Sequence, residues 1–209
     1  MLLFTSRPYT KEERAHAVQK LLENSVPDRD FYLLVIGAIL LAVSAIFLDS
    51  LAVLIASMIV APLAFPILAL GLGVARGDVR LVLRSTGMLA TSLLLAIGIA
   101  TLSTLAFGFL RIDPSVISFT SNEYLATAVA LIAGAIAAYG LVRVKVGSAM
   151  TGIGIAVSLM PPLVATGVGI ADGDMTLATT AFILFLLNVA GILAASIVVF
   201  YLFGFHKRN

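Results

Sequence analysis

Residues 71–81 read GLGVARGDVRL and residues 167–177 read GVGIADGDMTL, so that six of the eleven positions are identical. The two stretches lie 96 residues apart, and each follows an apolar segment that contains two prolines. Pro66 and Pro162 fall at the same offset. Similarity within one chain at a fixed spacing is the signature of an internal duplication. We call the relation between positions 96 residues apart the 96-residue register.

The composition indicates that a lipid bilayer is the solvent of this chain. Of its 209 residues, 61% are hydrophobic and 11% are charged, and the mean hydropathy is +1.13. A single soluble core cannot bury that much apolar surface. Apolar runs of about 18 residues or more are long enough to cross a bilayer as helices. The sequence therefore predicts an all-α, polytopic transmembrane bundle of six spans: Phe31–Leu48, Leu51–Ala75, Ser85–Leu110, Tyr124–Val142, Val146–Ala171 and Met175–Phe205.

The duplication divides these spans into two sets of three. Because three is odd, the second set must enter the membrane from the opposite face, which predicts a 3+3 inverted-topology repeat of the kind found in transport proteins. We expect five regions: an amphipathic cytoplasmic leader (1–30), a first half (31–110), an extracytoplasmic linker (111–123), a second half (124–205) and a cytoplasmic tail (206–209).

The basic residues predict the orientation. Lys and Arg in short loops favour the cytoplasmic side of a membrane. With the N-terminus inside, Arg111 is the one basic residue outside, and the C-terminus is also cytoplasmic. The sequence thus predicts a multi-pass protein of the cell membrane whose cytoplasmic basic residues are Arg7, Lys11, Arg14, Lys20, Arg29, Arg76, Arg80, Arg84, Arg143, Lys145, Lys207 and Arg208.

Prolines interrupt the second and fifth predicted spans. Proline lacks an amide hydrogen and clashes with the preceding turn, so it breaks or kinks a helix. At membrane depth, irregular backbone persists only where protein buries it or where it lines a wet cavity. Two interpretations remain open: a pair of packed kinks, or a pair of discontinuous helices whose ends bind a solute. The second makes candidate pathway residues of Pro62, Pro66, Pro161 and Pro162.

Neutral side chains are the other candidates, because no acidic, basic or histidine residue lies well inside a predicted span. Asn188 corresponds to Ser92 in the 96-residue register, and we expect the two to face each other. An interhelical hydrogen bond is the alternative explanation of an intramembrane Asn. The neutral candidates for solute contact are Ser57, Ser92, Ser158, Thr166 and Asn188. Helix ends with free amides would favour an anionic or neutral solute over a cation.

Each half also contains a Gly-Asp turn, formed by Gly77 and Asp78 and by Gly173 and Asp174. These turns either terminate one helix and cap the next or act at a gate. Gly73 and Gly169 lie four residues before the turn glycines. Small residues at this spacing allow close helix packing, which we expect at the interface of the two halves.

Several of these segments together resemble an uncharacterised family, domain of unknown function 389. They are residues 56–66 (ASMIVAPLAFP), the turn at 71–78, residues 130–134 (ALIAG), residues 156–162 (AVSLMPP) and residues 184–188 (LFLLN). The resemblance covers roughly residues 31–204. It implies a bacterial or archaeal integral membrane protein without a settled activity. Many members of the family carry a soluble N-terminal domain, whereas here we expect only the short leader.

The sequence favours a channel or facilitator, with a structural or lipid-interacting membrane protein as the alternative. An enzyme is not expected, because catalysis needs a base next to its nucleophile and both histidines, His16 and His206, lie outside the spans. There is no cysteine, and no metal or cofactor is expected. The expected partners are membrane lipids, a small solute or ion whose identity the sequence leaves open, and further copies of the chain, but no nucleic acid.

Overall fold

The computed structural model describes residues 11–107, 123–142 and 148–205. The predicted linker, apart from Glu123, and the predicted tail lie outside these residues. The described residues are helical, with short turns and no strand between them. Eight helices are seen in this part of the chain: α1 (Lys11–Glu23), α2 (Arg29–Phe47), α3 (Leu51–Val60), α4 (Ala64–Arg76), α5 (Val79–Phe107), α6 (Glu123–Val142), α7 (Ser148–Asp172) and α8 (Met175–Leu202).

Long apolar helices confirm the all-helical membrane architecture. Helices α2, α5 and α8, together with Leu125–Val142 of α6, are long and apolar enough to cross a bilayer. Helices α3 and α4 together form a fifth candidate span with a bend of 47°. In α7 the segment Leu159–Asp172 is apolar but shorter than a span. The described residues therefore give four spans, or five with the bent pair, and six are not established.

The bend between α3 and α4 lies at Pro62. Its predecessor Ala61 is extended, with φ −66° and ψ 119°, as expected for a residue before proline. Pro66 is the third residue of α4, where its missing amide would have had no partner within the helix. The prediction of a break in the second span is therefore confirmed, and Pro62 is the residue that explains it.

The predicted break in the fifth span is wrong. Helix α7 continues through Pro161 and Pro162. An interior proline costs a helix about 3 kcal/mol, but this part of α7 is deeply packed, and Leu159 and Val164 are fully buried. Helix α7 packs on α5, α6, α8 and α3. This packing holds the prolines, whose φ is already helical, inside a continuous helix.

Helices α4 and α7 form the centre of the bundle. Ile67, Leu68 and Val164 are completely buried, and α4 packs on α5 and α8 while α7 packs on α5, α6 and α8. Helix α5 is buried along one stripe only, and Leu83 and Leu94 on its other faces are about 70% exposed. A membrane-spanning helix at the edge of a bundle has this pattern, because lipid solvates its outer face.

The leader helix α1 packs against the bundle. Ala17 and Leu21 are buried, and α1 contacts α4 and α6. The Arg14 Nη1 atom donates a hydrogen bond to the Gly204 carbonyl oxygen at 3.1 Å. Gly204 follows the end of α8, so the cation lies at a helix C-terminus, where the helix dipole favours positive charge. These contacts give α1 a packing role.

Candidate functional site

Two glycines lie at close contacts between the halves. A methyl group built on Gly71 of α4 would collide with the Ser196 hydroxyl of α8 and lie 3.6 Å from Leu193 Cδ1. A methyl group on Gly167 of α7 would lie 2.6 Å from Ala100 Cβ and 2.8 Å from the Ile97 carbonyl oxygen of α5.

These two contacts are related by the 96-residue register. Gly71 corresponds to Gly167, Ser196 to Ala100, and Leu193 to Ile97. Each half therefore presents the same glycine to the same face of the other half's last helix. The two contacts thus join equivalent pairs of residues across the two halves.

Gly73 and Gly169 do not lie at the interface of the halves, so that prediction is wrong. A methyl group on Gly73 would lie 3.1 Å from the Val82 amide nitrogen, and one on Gly169 would lie 2.7 Å from the Ala178 amide nitrogen. Each contact joins two neighbouring helices within the same half: α4 with α5 in the first half, and α7 with α8 in the second. The Gly-Asp turn reverses the chain within a few residues, so the glycine nearest the turn necessarily meets the next helix.

The Gly-Asp turns terminate and cap helices. Gly77 and Gly173 have φ angles of +64° and +74°, the left-handed conformation that ends many helices. The Asp78 Oδ1 atom accepts a hydrogen bond from the Leu81 amide at 3.1 Å. The Asp174 Oδ1 atom accepts from Thr176 at 3.1 Å and from Leu177 at 2.9 Å. These side chains thus satisfy helix amides, and this geometry supports capping; a gating role remains a prediction.

Two predicted solute-contacting hydroxyls are buried but bond to their own helices. Ser57 Oγ donates to the Leu54 carbonyl oxygen at 2.6 Å, and Thr166 Oγ1 donates to the Pro162 carbonyl oxygen at 2.8 Å. Such bonds are common for Ser and Thr within helices. The donor of each hydroxyl is therefore already used.

Ser92 and Asn188 are both buried, with exposures of 1% and 2%. Ser92 lies on α5, which packs on α2, α4 and α7, and Asn188 lies on α8, which packs on α4, α6 and α7. The main contacts of α5 and α8 are thus with other helices, and the expectation that Ser92 and Asn188 face each other stays a prediction. Ser158 lies in α7, and its side chain is outside the described part.

The predicted prolines occupy different environments. Pro66 and Pro162 are buried, whereas Pro62 and Pro161 are partly exposed. Helix α4 begins next to Pro62 without a side-chain cap, although Leu63 and Ala64 at this end are buried. The bend therefore places a helix N-terminus inside the bundle. Only the first half has this feature within the described residues, because α7 does not break.

The structure also places polar groups that the sequence did not single out. Thr101 Oγ1 of α5 donates to the Gly167 carbonyl oxygen of α7 at 3.0 Å, a bond between the halves. Ser85 and Thr104 of α5 are 1% exposed. Ser85 lies seven residues before Ser92, two turns away on the same face of α5, and this spacing could have identified it. Thr104 lies twelve residues after Ser92, about 120° around the helix, so spacing would not have identified it.

No charged side chain is buried among the described residues. Nor does that part of the chain bring three His, Asp or Glu residues close enough to hold a metal ion. The polar groups of the described interior are therefore hydroxyls, one amide and backbone.

The comparisons with known proteins agree with the resemblance in the sequence. The family described as Domain of unknown function (DUF389) matches residues 58–194. Uncharacterized protein MJ0678 of Methanocaldococcus jannaschii is 33% identical over 202 residues, covering 93% of this chain and 62% of that protein. The chain thus spans less than two thirds of the length of this curated relative. No solved structure matches the chain. With more than half of its residues matched and its long apolar helices in place, the chain belongs to the DUF389 family of membrane proteins.

Proposed function

We propose that this chain is an integral membrane transport protein, a channel or facilitator for a small anionic or neutral solute. Its pathway runs at the interface of two halves related as an inverted-topology repeat. The observation that carries the proposal is the reciprocal pair of contacts, Gly71 against Ser196 and Gly167 against Ala100. Such repeats are a common architecture of secondary transporters, with their solute sites near the repeat interface.

The pairing of helices supports the inverted repeat. Helix α4 packs on α8 as α7 packs on α5, and α2 packs on α5 as α6 packs on α8. The Gly-Asp turns, with their left-handed glycines, occur at equivalent places in both halves. A two-fold axis in the membrane plane would produce this arrangement.

The solute class follows from the interior. A cation would need carboxylates or a cage of carbonyl oxygens, and the described interior holds no buried carboxylate. Helix α4 begins inside the bundle without a side-chain cap, and the N-terminus of a helix carries partial positive charge. This environment suits an anion or a neutral polar solute. The proposal includes no catalytic activity.

The test is reconstitution of the purified protein in a planar bilayer under asymmetric chloride, potassium and proton gradients. Discrete currents would establish a channel, and their reversal potential would identify the ion. If no current appears, uptake of labelled solutes and osmotic swelling of proteoliposomes distinguish an electroneutral facilitator from a protein without transport. Absence of flux in all three assays would contradict the proposal.

We further propose that the protein lies in the cell membrane with both termini in the cytoplasm and that it forms a homo-oligomer. Arg76, Arg80 and Arg84 lie at one end of the α4–α5 hairpin, whereas the register places Asp172, Thr176 and Thr180 at the α7–α8 hairpin. Single cysteines at Arg80 and Thr176 should therefore react with an impermeant reagent from opposite sides of the membrane. Labelling from the same side would contradict the orientation.

Cross-linking in native membranes, read as a ladder of discrete sizes, tests the oligomer.

A structural or lipid-interacting protein is the second candidate. The bonds of Ser57 and Thr166 within their own helices and the continuity of α7 are what a bundle packed for stability alone would show. This candidate predicts no flux and retention of specific lipids through purification.

A further inference from the structure

Two arginines lie side by side at the start of α5. Arg80 and Arg84 are in the first turns of this helix, and both are exposed. Residues four apart in a helix are neighbours on one face, with their Cβ atoms about 6 Å apart. The left-handed Gly77 and the Asp78 cap define the turn that precedes them. The turn therefore holds two guanidinium groups on the same outer face of α5.

These two cations have no partner within the described part of the protein. No hydrogen bond or ion pair joins Arg80 or Arg84 to another described residue. The carboxylate nearest to them in the sequence is that of Asp78, whose Oδ1 atom accepts a hydrogen bond from the Leu81 amide at 3.1 Å. Both guanidinium groups are thus available to an anion from outside the chain.

The position of the arginines along α5 is at the level of lipid headgroups. Helix α5 contains no charged residue between Arg84 and its end at Phe107. Residues 85–107 extend over about 34 Å as a helix, which is enough to cross a hydrocarbon core of about 30 Å. Leu83 and Leu94 on the outer side of α5 are about 70% exposed, as expected of a surface that lipid solvates. The arginines therefore lie at the border of the hydrocarbon, where the phosphate groups of lipids are.

Small residues continue the face of the two arginines into the hydrocarbon. Gly87 and Thr91 follow at the spacing of one helix face, and both are exposed. A methyl group built on Gly87 would have nothing within 4 Å. The Thr91 hydroxyl donates to the Gly87 carbonyl oxygen at 2.8 Å, so its donor is already used. Below the arginines there is thus a low strip, without a large side chain, along which an acyl chain can lie.

The second half of the chain forms the same turn without the arginines or the small residues. In the 96-residue register the equivalents of these four residues are, in order, Thr176, Thr180, Ile183 and Leu187. The α7–α8 turn nevertheless has the same left-handed glycine and the same aspartate cap. The turn itself therefore requires neither cation. The cations and the small residues occur together in one half and are both replaced in the other, as expected if they serve one ligand.

We propose that Arg80 and Arg84 bind the phosphate group of an anionic glycerophospholipid, whose acyl chain lies along Gly87 and Thr91. A guanidinium group presents a planar fork of donors that matches the oxygens of a phosphate. Basic clusters at the ends of membrane helices attract anionic headgroups. Phosphatidylglycerol should bind better than phosphatidylethanolamine, because the latter carries an ammonium group that neutralises its phosphate. This site goes beyond the proposed function and does not depend on transport.

Native mass spectrometry of the purified full chain in a neutral detergent tests the role of the arginines. The probes are phosphatidylglycerol and phosphatidylethanolamine, and the variants are Arg80→Gln and Arg84→Gln. Arg29→Gln is the matched control, because Arg29 is exposed at the start of α2 and its loss changes the net charge equally. We expect phosphatidylglycerol to bind about fivefold more weakly to each α5 variant and unchanged to the control. Equal affinity of the wild-type protein and both α5 variants would overturn the proposal.

Two further variants distinguish a shaped site from general attraction by positive charge. The double variant Arg80→Lys, Arg84→Lys retains both charges but loses the planar forks, so we expect weaker binding of phosphatidylglycerol. Gly87→Leu fills the low strip and should also weaken binding. Gly37→Leu on α2 is its control, because a methyl group on Gly37 also has nothing within 4 Å. Unchanged affinity in both the lysine and the Gly87 variants would mean that charge alone attracts the lipid, and would overturn the site.

A photoreactive phosphatidylglycerol, with a diazirine in its acyl chain, locates the lipid in proteoliposomes. Mass spectrometry of peptides should find the adduct enriched on residues 84–95. Adducts spread evenly over the outer helices would overturn the site. Size-exclusion chromatography shows whether each variant remains folded.

Inorganic phosphate is the probe for a free anion as the source of the phosphate group. We expect an excess of it to leave bound phosphatidylglycerol in place, because it has no acyl chain. Complete displacement of the lipid would assign the site to a soluble anion and overturn the proposal. None of these measurements uses flux, so absence of flux would contradict the proposed function and leave the lipid site standing.

Discussion

Residues 51–76 and residues 148–172 occupy equivalent positions in the 96-residue register, yet the first forms two helices at 47° and the second forms one. The proline they share, Pro66 or Pro162, is not the cause of the difference. Pro66 lies in the first turn of α4, where no helix bond is lost. The bend lies at Pro62, whose equivalent is Ser158.

The comparison shows that position within a helix and packing decide what a proline does. Ala61, before Pro62, leaves the helix and becomes extended. Met160, before Pro161, stays helical and is buried, although the same rule disfavours that conformation. In α7, contacts with α5, α6 and α8 offset the lost bonds. The break inside the bundle is therefore a property of the first half alone in the described residues, and any site that needs a helix end would be asymmetric.

The largest expected difference between equivalent substitutions in the two halves is in the loss of stability at Gly71 and Gly167, the two glycines of the interface. Gly167→Ala should destabilise the protein by about 2–3 kcal/mol, because the new methyl group meets the α5 backbone, which cannot rotate away. Gly71→Ala should cost less, since its methyl group meets the Ser196 hydroxyl, which can change rotamer. Unfolding in detergent, followed by circular dichroism, measures both.

The control for these variants is Gly98→Ala on α5. A methyl group on Gly98 has nothing within 4 Å, so we expect no loss of stability. Equal destabilisation by Gly167→Ala and Gly98→Ala would mean that the close approach of α7 to α5 is not what Gly167 provides.

The turn glycines should behave alike in the two halves. Gly77→Ala and Gly173→Ala should each cost about 1–2 kcal/mol, because a side chain is strained in the left-handed conformation. A methyl group on either would have nothing within 4 Å, so the cost is one of backbone conformation. Gly87→Ala, a glycine inside α5 with equal space, should show no cost in the same unfolding assay. One helix cap contributes about 1 kcal/mol to stability. If the destabilisation by Gly77→Ala and that by Gly173→Ala differed by more than this amount, the two turns would not be equivalent.

The two caps should differ modestly. Asp174 accepts hydrogen bonds from two amides, and for Asp78 one such bond is seen. Removing a cap lowers the free energy of unfolding by about 1 kcal/mol. Asp174→Ala should lower it by about that amount, and Asp78→Ala should lower it somewhat less. Asp→Asn at each position preserves the acceptor and serves as the control. The reverse order of the two alanine variants in urea or detergent unfolding would contradict this assignment.

Substitutions of the prolines should have the smallest effect on stability. They test the comparison of residues 51–76 with residues 148–172 most directly. Pro62→Ala restores an amide and frees Ala61 from the pre-proline restriction, so α3 and α4 should straighten. Spin labels at the exposed positions Ile55 and Val74 would report this as a longer distance in pulsed electron resonance. Pro66→Ala should leave the distance unchanged. An unchanged distance in Pro62→Ala would mean that packing, and not this proline, sets the bend.

Local features of the sequence predicted much of this structure. The ends of α2, α6 and α8 follow from hydropathy, because lipid selects long apolar helices wherever they occur. The Gly-Asp turns follow from glycine's access to positive φ and from the carboxylate's reach to amides three residues on. The helix ends and the Gly-Asp turns both depend on residues that are neighbours along the chain, so both can be predicted from the sequence.

Other features required the fold itself. The continuity of α7 through two prolines, the roles of Gly71 and Gly167 between the halves, and the inward hydroxyls of Ser85 and Thr104 were not predicted. In each case the deciding atoms belong to residues distant in the chain, such as Ala100 against Gly167. The free energy of a lost helix bond and that of close packing are both a few kcal/mol. Only the tertiary structure shows which of the two prevails, because only there are the packing partners known.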